Sequence, residues 1–232
     1  MAHDSNSSAL AEITQYADQA IAAAGLLTTN PYFTNLKANT FDFDAFRRTQ
    51  EQFYFAVLFF SRPMAALAAR FPDPHSRLDI LHNVVEEHGD FDEAAFHATT
   101  FRDFLTSISV PLARLEEISL WPEVRAFNSV LTTSCLLDEV EVGVGCMGVI
   151  EYAFSDISAL IGRSVVNNGW VASEELKHYK LHAEIDKRHA QEFFEILVQR
   201  WSSGERYHIR QGIDLGVYIF NRLYRDLFLK VT

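Results

Sequence analysis

The sequence predicts an all-α helical bundle on three observations. Apolar residues recur three and four positions apart over long segments, capping residues bracket those segments, and no stretch alternates apolar and polar residues long enough to make a strand. One segment, from about Glu139 to Gly162, is apolar nearly all round through Val140, Val142, Val144, Cys146, Met147, Val149 and Ile150, which marks a central buried helix. Around it the pattern supports roughly seven to nine helices on one core.

In chain order, a polar tail over residues 1–8 is expected to be flexible, and Ser8 caps a helix carrying Leu10, Ile13, Tyr16, Ala20 and Ile21, stopped at Gly25. Asn30-Pro31 opens a short segment. A long helix follows Asp42 or Asp44 through Phe46, Phe53, Val57 and Phe60 to Arg70, and Pro63 should kink or break it. Phe71-Pro-Asp-Pro-His is a turn, Ser76 to His88 is helical, and Gly89 stops it. From Phe91 to about Leu105 another helix shows Ala94, His97, Phe101, Phe104 and Leu105 on one side. A connector through Pro111 and a short acidic helix lead to Trp121-Pro122, where proline begins a helix reaching about Leu137. After the central helix and the Asn167-Asn168-Gly169 turn come a helix from about Ser173 to Arg200 and a last one carrying Ile213, Val217, Phe220, Leu223 and Leu227. One domain, 9–232, accommodates all of them, and no internal repeat is visible.

Composition bounds the function. A net charge of −11, spread along 232 residues, argues against a nucleic-acid partner or an anionic membrane surface. No apolar run approaches the roughly 20 residues of a membrane span, and the polar N-terminus lacks a leader pattern. The two cysteines, Cys135 and Cys146, form no metal-type pair and fit a reducing compartment, so a cytoplasmic protein is expected.

The chemistry concentrates in His182-x3-Asp186-x2-His189. At about 100° per residue, with His182 at zero, Asp186 falls near 40° and His189 near −20°. They share a stripe with Ile185, Phe193, Ile196 and Leu197, whereas Lys187, Arg188 and Glu192 lie off it. Ionisable groups turned inward need partners, and a shared metal satisfies several at once. A single helix cannot close a site. On other helices, Glu151 points with Val144, Met147 and Phe154, Glu87 with Ile80 and Val84, and His97 with Phe101 and Phe104. On the same wheel Glu86 turns away and His88 falls on the apolar side; the tight, acidic interval between Glu87 and His97 leaves Glu86 or His88 as substitutes for Glu87. Taken singly, His97 reads as a hydrogen-bonded core histidine and Glu151 as the partner of an arginine; His178 and His82 read as surface or boundary histidines, and the cysteines as core filler. Taken together, three carboxylates and three imidazoles without thiolate suit iron or manganese, and the carboxylates offset three of the four charges of two ferrous ions.

These residues resemble a known family. Asn83-Val-Val-Glu-Glu87-His-Gly89 followed by His97, then Gly148-Val-Ile-Glu151-Tyr, then the His182, Asp186, His189 set, are similar to the heme-oxygenase-like diiron oxidases and oxygenases of the TenA/PqqC superfamily, which include the chlamydial protein associating with death domains. The resemblance extends to the aromatic helix around Gln52-Phe-Tyr-Phe and to Arg62-Pro63. It implies a heme-oxygenase-like bundle whose metal ligands are Glu87, His97, Glu151, His182, Asp186 and His189, holding two Fe(II) ions with dioxygen as cosubstrate. Heme is disfavoured, because no histidine lies between His3 and His75 to serve as an early proximal ligand. Tyr152 and Tyr179, beside the ligands, are candidates for supporting hydrogen bonds or radical chemistry. The resulting expectation is oxidation of a small amino-acid-like or fatty-acid-like substrate by desaturation, cleavage or N-oxygenation, in a homodimer. Two alternatives stand beside it: a metal-free TenA/PqqC-like enzyme acting on a small heterocycle, with Cys135 as its nucleophile, and a non-enzymatic protein-interaction module.

Overall fold

The computed structural model describes residues 2–232, with side chains from Asn6 onward. Ten α-helices follow one another: α1 (Ala2–Ala23), α2 (Pro31–Lys37), α3 (Phe43–Arg70), α4 (Pro74–Glu87), α5 (His97–Ser107), α6 (Arg114–Glu117), α7 (Pro122–Leu136), α8 (Val140–Asn167), α9 (His178–Ser202) and α10 (Tyr207–Val231). Among the described residues there is no strand. The all-α bundle is therefore as expected, and the tally exceeds nine because the short segment opened by Asn30-Pro31 is also helical, as α2. The tail expected over residues 1–8 falls partly outside the described side chains; its backbone is helical from Ala2, ahead of the Ser8 cap.

Cap chemistry sets several of these boundaries. The Asn30 side chain accepts from Tyr32 N at α2, Asp42 from Ala45 N at α3, and Asp73 from Ser76 N at α4. Pro31, Pro74 and Pro122 occupy first-turn positions, where a missing N–H costs nothing. Pro63 does not break α3, which runs through it to Arg70. Pro63, Met64, Leu67 and Ala68 are buried, and Arg70 donates to the carbonyls of Cys135 and Asp138, so packing on both sides holds the helix across the lost backbone bond.

At the centre lies α8, packed along α9 and α10 and against α7. By length and composition α3 and α8 are long and apolar enough to cross a membrane, contrary to the sequence expectation, but 83% of the most apolar window of α8 is buried inside the fold. That burial accounts for its all-round apolarity. Against α9 the fit is close: a Cβ on Gly148 would stand 2.8 Å from Cβ of Phe193 and 3.0 Å from a ring carbon of Phe194. Only glycine lets the two backbones approach this far.

The region between α4 and α5 departs most from expectation. Instead of a helix from Phe91, two 3-10 turns span Gly89–Phe91 and Glu93–Ala95, and α5 begins at His97. Gly89, Asp90 and Phe91 all have positive φ, at 56°, 53° and 71°. A Cβ on Gly89 would sit 2.6 Å from the carbonyl carbon of Ala95, so this reversal requires glycine. It folds the end of α4 back onto the start of α5. Similarly, α9 starts at His178 rather than Ser173, because turns occupy the residues between.

Candidate metal centre

Four helices converge on one buried cluster. From α9, His182, Asp186 and His189 project on one stripe, as their spacing demands, and Asp186 and His189 have no exposed surface at all. From α8 comes Glu151, brought close by the Gly148 contact one turn earlier. The α4–α5 reversal supplies Glu87, the last residue of α4, and His97, the first of α5. All six residues named from the sequence are buried and face the same region.

Their contacts divide the cluster in two. Glu151, Asp186 and His189 offer ligand atoms that all lie within 4.8 Å of one another. Next to them, His97 Nδ1 lies 2.7 Å from Glu87 Oε1, and the His97 and His182 rings meet at 4.3 Å between centroids. The halves are joined where His182 Nδ1 approaches Asp186 Oδ1 at 2.8 Å.

Glu86, which the wheel turns away, faces the cluster after all, because it reaches His189 from the end of α4. Its Oε2 lies 2.8 Å from His189 Nε2, while its other oxygen accepts from Arg188 Nη2 at 2.5 Å. Glu87 thus faces His97 and Glu86 faces His189, so both carboxylates serve the cluster from opposite sides of the α4 end. His88 turns away, its Nδ1 against the Val84 carbonyl.

Several donor atoms remain without a protein partner: Glu151 Oε1, His182 Nε2, Asp186 Oδ2 and His189 Nδ1. Burying such groups unsatisfied is costly. On three of these side chains the other polar atom is already engaged: His182 Nδ1 with Asp186 Oδ1, and His189 Nε2 with Glu86. At His189 the arrangement, in which a carboxylate outside the ligand set fixes one imidazole nitrogen and leaves the other as a lone pair, is how protein metal sites orient histidine. The oxygen and nitrogen donor set fits iron or manganese.

The electrostatics agree. Burial raises Asp186 well above the usual carboxylate range and pushes Glu151 up to about 7. Burial opposes charge on His189, but Glu151, Asp186 and Glu86 outweigh it and carry its pKa up to about 10. Burial likewise opposes charge on Glu87 and His97, yet their mutual contact wins, lowering the first and raising the second. His182 lies well below the histidine range, through burial and the neighbouring His97. A cation among these groups would replace the protons they now share.

Beside the cluster is a narrow cavity walled by Phe53, Val57, Phe60, Phe127, Phe154 and Phe220. Glu87, His97, Glu151 and His182 reach its surface, and so does His178. Reading His178 as a boundary residue was wrong: it is 1% exposed and packs against His182 at 4.3 Å between ring centroids. The signal was present, since 178 precedes 182 by four and therefore extends the same stripe. The two tyrosines also need correction. The Tyr152 hydroxyl donates to Asp18 Oδ1 on α1, because the residue after Glu151 is rotated about 100° away from the cluster. Tyr179 is fully buried, but its hydroxyl donates to Gln50 Oε1 at 2.5 Å instead of to a cluster residue.

Fold and site together define a helical-bundle protein with a buried carboxylate–imidazole centre open to an apolar cavity. The family model described as "iron-containing redox enzyme" matches residues 47–218, a span that includes all six cluster residues, and the chain belongs to that family. Among solved structures it is similar to a CADD-like protein of unknown function from Nostoc punctiforme, at 14% identity and TM-score 0.77, covering 96% of this chain and 98% of that one. It is also similar to a domain of unknown function with a heme oxygenase-like fold from Shewanella denitrificans, at 13% identity and TM-score 0.75, covering 95% and 92%. A TenA homolog from Pseudomonas syringae matches at 14% identity and TM-score 0.70, covering 94% and 91%. A search of curated proteins returns no match. The fold is thus heme-oxygenase-like.

Proposed function

We propose that the chain is a non-heme diiron oxidase or oxygenase that uses dioxygen to desaturate, cleave or N-oxygenate a small amino-acid-like or fatty-acid-like substrate. The observation carrying this reading is the set of buried, partnerless donor atoms on Glu151, His182, Asp186 and His189, set beside an apolar cavity in a member of an iron-containing redox enzyme family. Two Fe(II) ions held by Glu87, His97, Glu151, His182, Asp186 and His189 would supply the electrons and open coordination positions that dioxygen activation needs. Manganese suits the same donors.

The rest of the work falls to the chain. Glu86 accepts a hydrogen bond from Nε2–H of His189, leaving Nδ1 directed inward, and Asp186 accepts one from Nδ1–H of His182, leaving its Nε2 without a protein partner. Phe53, Phe127, Phe154 and Phe220 keep water from the reacting face and hold the apolar body of the substrate. The same reading takes the protein as a cytoplasmic homodimer acting on a small molecule, without nucleic acid or membrane.

The metal-free alternative shares this fold. Its cysteine, however, is fully buried, does not line the cavity, and has a thiol pushed far above the usual range by burial. That environment suits a core residue better than a nucleophile. Anaerobic Fe(II) titration followed by oxygen exposure tests the choice. The expected result is saturable binding of two ions per chain, then oxygen uptake accelerated by one of a panel of amino acids and fatty acids. Absence of iron binding would overturn the reading, and oxygen uptake would exclude a purely protein-binding role.

A further inference from the structure

The cavity holds one polar side chain that the cluster does not use. Apart from the four cluster residues that reach it, Glu87, His97, Glu151 and His182, His178 is the sole polar residue lining it among the described residues. It is 1% exposed, its Nδ1 lies 2.9 Å from Thr100 Oγ1, and its Nε2 has no partner.

Thr100 determines which tautomer this is. Its Oγ1 also lies 3.0 Å from the carbonyl oxygen of His97. A carbonyl can only accept, and a hydroxyl has a single proton to give. Both contacts are hydrogen bonds only if Thr100 donates to His97 and His178 Nδ1–H donates to Thr100. No acceptor faces Nε2, so a second proton there would be a buried charge without a partner. Nε2 therefore carries a lone pair and no proton. Its ring neighbours, Phe101, Tyr179, His97 and His182, present aromatic surfaces to it, and none donates to Nε2. The donor must come from whatever enters the cavity.

We infer that His178 anchors the substrate: its unprotonated Nε2 accepts a hydrogen bond from an N–H or O–H group of a compact, otherwise apolar molecule. This rests on reading the cavity as the substrate site. It makes donor capacity a selection criterion separate from the shape imposed by the phenylalanine wall, because an occupant without a donor leaves Nε2 buried and unpaired.

The test compares p-cresol with toluene, two probes alike except for one hydroxyl, by calorimetric titration of the anaerobic iron-loaded protein. The ratio of their Kd values in the wild type is set against the ratio in His178→Phe. Loss of the acceptor should cut the p-cresol preference about tenfold, the scale of one buried hydrogen bond, while bound iron per chain stays the same. Thr100→Val, nearly isosteric, removes the group that fixes the tautomer; it should lower the same ratio and also leave iron unchanged, and it carries the test should His178→Phe not fold. An unchanged ratio in both variants would overturn the assignment. So would loss of iron in folded His178→Phe, which would make His178 a metal ligand, or failure of both probes to bind the wild type. If the wild type binds no iron, the diiron reading falls while the probe ratio, measured on the same protein, still decides the anchor.

Discussion

The two halves of the cluster are built by different means. Glu151, Asp186 and His189 sit on α8 and α9, two long helices in close contact, where periodicity alone places each side chain. Glu87 and His97 come from the ends of α4 and α5, and what brings them within hydrogen-bonding distance is a chain reversal through three consecutive residues of positive φ. The first half is specified by spacing and the second by handedness. Helix packing should therefore be the sensitive point of one, and backbone strain that of the other.

The sharpest way to break the second half is Gly89→Ala. An alanine there must hold φ near 56° with its Cβ against the Ala95 backbone, which should cost about 3 kcal/mol by chemical denaturation. Bound iron should fall toward one ion per chain, because the α8–α9 half is untouched; full retention of two would show that the reversal does not position Glu87 and His97. The first half answers to Gly148→Ala, whose Cβ would press on Phe193 and Phe194. Overpacking of this kind should cost about 2 kcal/mol and weaken the iron held by Glu151, Asp186 and His189. A neutral effect on both would remove close helix approach as its determinant.

A smaller change comes from Glu86→Gln, which leaves every proposed ligand in place and alters only the charge on the partner of His189 Nε2. Iron affinity should drop about tenfold, with stability little changed. The smallest effect is on pH dependence in chelator-treated protein. Glu151, raised from 4.5 to about 7, and His189, raised from 6.5 to about 10, both hold protons more tightly when folded. Their contribution is complete below the unfolded values and is lost as pH rises through the folded ones. Glu87, lowered by His97, acts in the opposite sense and loses its contribution as pH falls. Because the groups titrate as a coupled set, the net slope is shallow. The melting temperature should still fall between pH 5 and pH 9, and a rise over that range would reverse the assigned signs.

This contrast also explains what could be read from the sequence. The stripe on α9 was legible because a 3.6-residue period converts spacing directly into direction, and Glu151 was legible because it interrupts an otherwise apolar helix. His178 obeys the same period, and only when taken singly, apart from the stripe it extends, does it look like a boundary histidine. The α4–α5 reversal was hidden for a physical reason: the acidic run Asp90, Asp92 and Glu93 has a helix-compatible pattern, and positive φ at Asp90 and Phe91 leaves no trace in hydropathy. The sequence marks Gly89 as a helix stop, but nothing in it shows that the missing Cβ admits the Ala95 backbone. Tyr152 failed by adjacency, since a sequence neighbour of an inward residue on a helix points elsewhere.

The cavity wall and the cluster are drawn from largely separate helices. Phe53, Ala56, Val57 and Phe60 belong to α3, Phe127 to α7 and Phe220 to α10, none of which contributes a cluster residue. Substitutions along those three helices can enlarge, shorten or bend the chamber while the carboxylates and imidazoles stay where α4, α5, α8 and α9 hold them. The bundle in this sense sets a fixed carboxylate–imidazole cluster against an interchangeable mould, and divergence in what the chamber accommodates can proceed without rebuilding the cluster.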